Sequence, residues 1–347
     1  MQTRITELFG TKYPIIMGAM YWIASPELVA AICNAGGLGL YPVSGDTPEQ
    51  ARNAIRKIKS LTDRPFGVNQ MLAFPLAKEK IDIILDEKVP VIEYGLGRPW
   101  FIDKVHAYGG KVIAKLSIIK HAVKAEQLGV DAVNLVGFEG AGHPTYVTTM
   151  VLIPLARKSV KIPIIASGGI SNGRGLAAAL ALGADGVIMG TRFAVSKESL
   201  LNDKWKQRIL EATEQDTIYM DTGDPTASMR AFKTKRVHEE LKKKLPIFEA
   251  MSAALEAKKL LNLSWSQMIR AGLASQGEEG MSVMGRMRFM TSAVRSEEVM
   301  IHGNEEVGVL TAGQVVGDIK DIPTCQEIID RTMAEAEEAF RQMKAQY

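Results

Sequence analysis

The residue best suited to chemistry is a histidine set among glycines. The segment Gly137-Phe138-Glu139-Gly140-Ala141-Gly142-His143-Pro144 places one carboxylate and one imidazole in a loop of mostly small residues. Imidazole titrates near neutrality, so His143 can move a proton to or from a substrate carbon. The other histidines, His106, His121, His238 and His302, stand in helical or insertion contexts. Glu139 either orients a ligand hydroxyl or structures its own loop. Two more glycine turns follow, Ser167-Gly168-Gly169-Ile170 and Met189-Gly190-Thr191-Arg192-Phe193. Backbone N–H groups in such turns, beside a helix N-terminus, hold a phosphate dianion without needing lysine. Thr191 adds a hydroxyl donor.

Earlier segments add candidates of a different kind. Gly18-Ala19-Met20 lets a flat ligand approach the backbone, with Met20 against a ring, unless it is only a tight turn. Asn69 offers donors and an acceptor to a heterocycle with a mixed polar edge, or else caps a loop. Lys115 either offsets negative charge on a bound group or reaches solvent. Cys33 and Cys325 lie far apart without metal-ligand spacing and read as buried small hydrophobes. No Ser-His-Asp set and no HExxH motif appears. With so few acid/base groups, a cofactor is expected to carry the chemistry. FMN fits, having a phosphate at one end and an apolar ring with mixed polar edges at the other.

The elements that must position these residues follow from the apolar pattern. Short apolar runs occur at Pro14–Met17, Gly37–Tyr41, Phe66–Asn69, Val89–Tyr94, Lys111–Lys115, Ala132–Val136, Ile164–Ser167 and Gly186–Met189. They are too short for helices and lack polar alternation, as expected of strands buried on both faces. Helical stretches fill the gaps. Two open with Ser25-Pro26-Glu27 and Thr47-Pro48-Glu49, each an N-cap followed by proline in the first turn. The others are Ala77–Glu87, Trp100–Tyr108, Ile118–Leu128, Thr149–Val160 and Gly173–Leu182. Eight such units predict an α/β fold, a (β/α)8 TIM barrel, whose chemistry sits at the C-terminal strand ends. No GxGxxG follows the first strand, which disfavours an open doubly wound sheet.

The barrel with its FMN site is expected over residues 1–194. Residues 195–320 show no continuing strand rhythm and read as a mainly helical insertion or cap. Within it, the basic stretch Lys233–Lys244 reads as a solvated helix face, or else as a surface for an anionic substrate handle. A last amphipathic helix, near Thr324–Lys344, is expected to pack back on the barrel wall in a segment spanning 321–347. The 347 residues carry 42 basic and 39 acidic side chains, a balance that argues against a nucleic-acid partner. No apolar run approaches the ~20 residues of a membrane span. The opening residues lack the apolar core of a signal peptide, so a cytoplasmic location is expected.

These motifs together resemble the nitronate monooxygenase (2-nitropropane dioxygenase) superfamily. That group includes FMN-dependent enoyl-acyl-carrier-protein reductases and acyl-CoA reductases of steroid-ring degradation. The similarity runs through Thr3–Leu8, Pro14–Ala24, Ala35–Gly39, Asp63–Asn69, Glu139–His143, Ala166–Gly169 and Gly190–Phe193. It implies an FMN-bearing barrel with a helical cap. It implies that Met20, Asn69, Ser167, Gly168, Gly169, Gly190 and Thr191 bind FMN, and that His143 is catalytic. Gln314, in Ala312-Gly313-Gln314, matches a late Gly-Gln motif near the flavin. Gly18, Ala19, Lys115, Glu139, Gly142 and Met189 complete the expected cofactor set.

Nitronate monooxygenases commonly continue the histidine loop as Gly-His-x-Gly-Asp, whereas this chain reads Gly142-His143-Pro144-Thr145-Tyr146. The tail segments Leu263–Leu273, Gly308–Gln314 and Ile322–Cys325 are similar to the acyl-CoA branch. Lys115 stands where a small or apolar residue is expected. The leading expectation is an NAD(P)H-dependent reductase of an unsaturated or enone acyl thioester of CoA or a carrier protein, with His143 as acid/base. The alternatives are a nitronate monooxygenase using FMN and O2, an NADH:quinone reductase, and a flavin-binding protein without turnover. A homodimer is the assembly expected.

Overall fold

A computed structural model describes residues 1–221, 228–242 and 295–346. Its centre is a closed barrel of eight parallel strands in sequence order, β1 (Ile15–Met17), β2 (Leu38–Pro42), β3 (Gly67–Met71), β4 (Val91–Gly95), β5 (Lys111–Leu116), β6 (Ala132–Val136), β7 (Ile164–Ser167) and β8 (Gly186–Met189). β1 closes on β8 through the pairs Ile15–Val187, Ile16–Ile188 and Met17–Met189. The TIM barrel expected from the apolar runs is the fold, and every predicted strand lies within a residue or two of its place. A short helix, α1 (Arg4–Phe9), precedes β1. The crossovers are α2 (Pro26–Asn34), α3 (Pro48–Leu61), α4 (Ala77–Asp86), α5 (Ile102–His106), α6 (Ile119–Gln127), α7 (Thr149–Ser159) and α8 (Gly173–Ala181).

Local chemistry accounts for the helix starts. The Ser25 hydroxyl accepts from Leu28 N, with Pro26 in the first turn. Thr47 and Gln50 form a reciprocal capping box at α3, and the Asn172 side chain accepts from Gly175 N at α8. Gly39 lets β2 and α2 meet: a Cβ there would stand 2.6 Å from the Val29 carbonyl oxygen.

Side chains alternate across each strand, so the barrel has two cores. Ile16, Leu38, Leu40, Val91, Ile113, Ala132, Ile165 and Ile188 fill the interior, joined by Ile5 and Phe9 of α1 at the N-terminal end. The opposite faces, including Met17, Val68, Ile92, Val112, Val133 and Val187, pack under the helices.

After β8 come α9 (Thr191–Ala194) and α10 (Asp203–Leu210). The segment expected to lack strands then supplies an antiparallel hairpin, β9 (Thr217–Met220) and β10 (Met229–Phe232), registered from Met229–Met220 to Phe232–Thr217. Each strand is only four residues long, too short to show a sustained period in sequence. α11 (Lys235–Lys242) carries most of the basic stretch. Lys235 is exposed while Val237 is buried against Met220 and Ala231. Lys243, Lys244 and Leu263–Leu273 lie outside the described residues.

The terminal helix, α12 (Cys325–Gln346), begins with a capping box between Thr324 and Glu327. It packs on α8 and α2. The approach to α8 is close: a Cβ on Gly173 would meet Thr332 O at 2.2 Å. The Glu335 carboxylate accepts from Gly173 N at 2.8 Å. Arg192 and Arg331 both bond to Asp321, at 2.9 and 2.6 Å, tying α9 to this helix. Among the described residues no helix is long and apolar enough to cross a membrane, and no His/Cys/Asp/Glu group suits a metal ion. Ile329 is fully buried in the seam. Ile329→Ala is expected to cost about 2–5 kcal/mol in denaturant unfolding; a loss under 1 kcal/mol would show that the helix is not part of the cooperative unit.

Candidate active site at the barrel mouth

Above the apolar interior lies a polar layer. Strand register sets Asn69 beside Glu93 and Lys115 beside Asn134. The Glu93 carboxylate accepts from Asn69 Nδ2 at 2.6 Å and from Asn134 Nδ2 at 2.7 Å. All three residues are about 1% exposed. A carboxylate offers only acceptors, so both amides must present their NH2 groups to it. Their oxygens are thereby turned elsewhere, and Asn134 Oδ1 has no hydrogen-bond partner among the described residues. The same is true of Gln70 Oε1. Lys115 is half-buried and makes no hydrogen bond or ion pair among the described residues.

Sequence reasoning named Asn69 and Lys115 but missed Glu93 and Asn134. The missed signal was parity. Glu93 stands two residues after Val91 and Asn134 two after Ala132, on the inward face of their strands.

The loop after β2 is fastened from below. Lys80 of α4 is fully buried, with Nζ donating to Ser44 O at 2.6 Å. The Ser44 hydroxyl in turn accepts from Met71 N at 2.7 Å. Burial pushes Lys80 down to about 8 and the neighbouring Asp46 up to about 6.

After β6, Glu139 caps the next helix. Its carboxylate accepts from Thr149 N at 2.9 Å, capping α7. The Thr149 hydroxyl lies 2.9 Å from Gly168 O, which joins this loop to the turn after β7. His143 Nδ1 sits 2.8 Å from Ser228 O. A carbonyl only accepts, so Nδ1 must carry the proton in this contact. Gly142, at φ +79°, bridges to Arg230. Tyr219 donates to Pro144 O at 3.1 Å, and Tyr146 donates to Asp221. That bond pushes the Tyr146 hydroxyl up to about 12.

The two phosphate-type turns stand next to each other on β7 and β8. Gly168 and Gly169 both take left-handed φ, +97° and +77°. A Cβ on Gly168 would lie 2.9 Å from both Gly137 O and Gly140 N, so only glycine fits where the turns meet. Residues 313–314 complete the rim: Gly313 N donates to Thr191 Oγ1 at 3.1 Å and Gln314 N to Glu139 O at 3.0 Å. Gly18 N donates to Met189 O, Ala19 packs on the interior core, and the Met20 sulfur faces Gly190, 3.8 Å from where its Cβ would be. The expected residues on β1, β3, β5, β6, β7 and β8, with Gln314, therefore share one end of the barrel. Met189 differs: its side chain is fully buried in the outer core, and only its carbonyl reaches the rim.

Glu93→Gln would set an NH2 donor against one of the two asparagine amides. We expect a loss of about 1–3 kcal/mol in urea unfolding, and an unchanged midpoint would contradict the network.

Known proteins match along nearly the whole chain. A sequence profile described as nitronate monooxygenase covers residues 2–79 and 71–335. The (3aS,4S,5R,7aS)-5-hydroxy-7a-methyl-1-oxo-octahydro-1H-indene-4-carboxyl-CoA dehydrogenase of Rhodococcus jostii is 37% identical over 339 residues, spanning 97% of this chain and 96% of that one. The Mycobacterium tuberculosis protein of the same name is 34% identical over 342 residues, with 97% and 96% covered. The structure of FabK from Thermotoga maritima superposes with a TM-score of 0.83 at 31% identity, covering both chains completely. Barrel, rim and C-terminal segment are matched together, and as a whole chain this oxidoreductase belongs to the nitronate monooxygenase family.

Proposed function

We propose that this chain is an FMN-dependent oxidoreductase moving a hydride and a proton across the α,β carbon–carbon bond of a cyclic acyl-CoA, with a nicotinamide as co-substrate. One observation carries the reading: His143, with Nδ1 committed to a carbonyl, stands on the same rim as two glycine turns and above a polar layer with unused acceptors. The thioester class is supported by the carboxyl-CoA named for the 37%-identical relative.

The residues present fit FMN. Gly168, Gly169, Gly190 and Thr191, with Ser167, would hold its phosphate through backbone and hydroxyl donors. Gly18, Ala19 and Met20 would lie along the ring. Asn134 Oδ1 offers an acceptor for a ring N–H, Asn69 adds its amide, and Lys115 offers a cation for electron-rich ring atoms. Gly142 and Gln314 would border the ring from the β6 side. Bound FMN supplies hydride transfer.

The chain's own share is the proton. In the reductive direction His143 gives a proton from Nε2 to the α-carbon; in the oxidative direction it removes one. The sequence reading favoured reduction, whereas the relatives' names denote dehydrogenation. Microscopic reversibility lets the same imidazole serve both, so the assignment of His143 does not depend on direction. A second reading, nitronate oxidation with His143 as base and O2 as oxidant, is favoured by the family profile.

His143→Ala is expected to keep its flavin content and lose about 10²–10⁴-fold in turnover of a 2-enoyl-CoA or bicyclic carboxyl-CoA. Oxygen uptake driven by a nitronate without nicotinamide, and no turnover of either thioester, would replace the first reading by the second. Gly168→Ala is expected to lower bound FMN, read from the flavin-to-protein absorbance ratio, because its Cβ collides with backbone atoms; full flavin content would remove this turn from the cofactor site.

A further inference from the structure

The loop that carries His143 is held by the β9–β10 hairpin, and Arg230 grips it with both its side chain and its main chain. Arg230 is 3% exposed. Its Nε donates to Phe138 O at 3.0 Å and one Nη to Thr217 Oγ1 at 3.3 Å, while the guanidinium lies 4.5 Å from the centre of the Phe138 ring. Its main-chain N donates to Gly142 O at 2.9 Å. The carbonyls at both ends of the 138–142 segment thus go to one residue. His143 comes next, and its Nδ1 meets Ser228 O, two residues before Arg230 on the same strand extension.

A buried guanidinium is costly unless its donors are used, and an apolar residue would fill the same space without that cost. Burial indeed holds Arg230 below arginine's ordinary value. What the arginine adds is direction: a planar fork that fixes the Phe138 carbonyl while stacking on its ring.

We propose that Arg230 is a positioning residue for His143. Its side chain clamps residue 138 to the hairpin beside the main-chain contact to residue 142, and so keeps the imidazole against Ser228 O with the proton on Nδ1. This rests on the reading of His143 as the proton-exchanging group, but the tautomer itself can be measured without any turnover.

The test is ¹⁵N NMR of histidine-labelled holoenzyme. The chain has five histidines, and His143 is assigned by the signals lost in His143→Ala. The neutral wild-type ring is expected as a single Nδ1–H tautomer. Arg230→Met is expected to mix the two tautomers and to lower kcat by about 10²-fold with KM little changed, the pattern of a misplaced catalytic group. Arg230→Lys keeps the charge but not the planar fork, and should fall between the two on both readouts. A wild-type tautomer with wild-type kcat in Arg230→Met overturns the proposal. If Arg230→Met does not fold, Arg230→Lys decides, and a wild-type tautomer and kcat there overturns it equally. If His143→Ala turns over normally, the reading of His143 fails, while the tautomer comparison still judges the clamp.

Discussion

The mouth of this barrel depends on one buried carboxylate. Glu93 sits inside a parallel sheet, where an unpaired charge would be prohibitive, and is made tolerable by two amide donors from strands on either side. In return it fixes which way Asn69 and Asn134 face. Neither amide can flip without setting its oxygen against the carboxylate, acceptor against acceptor. The polar layer is therefore rigid before any ligand arrives, and the acceptor left at Asn134 has a fixed direction.

Above that floor the rim is a set of mutually dependent turns rather than independent loops. Thr149 links the Glu139 carboxylate, through its main-chain N, to the turn at Gly168, through its hydroxyl, and Glu139 O and Thr191 Oγ1 both accept from residues 313–314. Glycine is needed at 168 because the neighbouring turn leaves no room for a side chain. The interlocking explains how loops, ordinarily the mobile part of a barrel, can hold a constellation in place.

Much of this was readable in the residues. Strands buried on both faces announce themselves as apolar runs, and Ser25-Pro26 and Thr47-Pro48 mark helix starts by chemistry that acts within four residues. His143 and the glycine turns were legible because glycine clusters at strand ends have few other uses. What escaped depends on contacts distant in sequence. The inward parity of Glu93 and Asn134 needs register, which adjacent strands set jointly. Met189 reads as part of a glycine turn, yet its parity sends the side chain outward. The hairpin strands Thr217–Met220 and Met229–Phe232 are too short for a period, and their partners, among them Leu310 and the His143 loop, are distant in sequence. Glu139 could be assigned to loop or ligand only once α7 was seen to begin at Thr149.

The contacts of Gly313 and Gln314 carry a consequence for biosynthesis. The barrel's eight strands are complete by residue 189, so a nascent chain can close its sheet before the rim segment at Gly313 and Gln314 has been made. The rim cannot be finished then, because its last hydrogen-bond donors are synthesised long after the eighth strand. Closure of the scaffold and maturation of the pocket are thus separate events in time, and a truncated product would own a barrel with an unfinished lip.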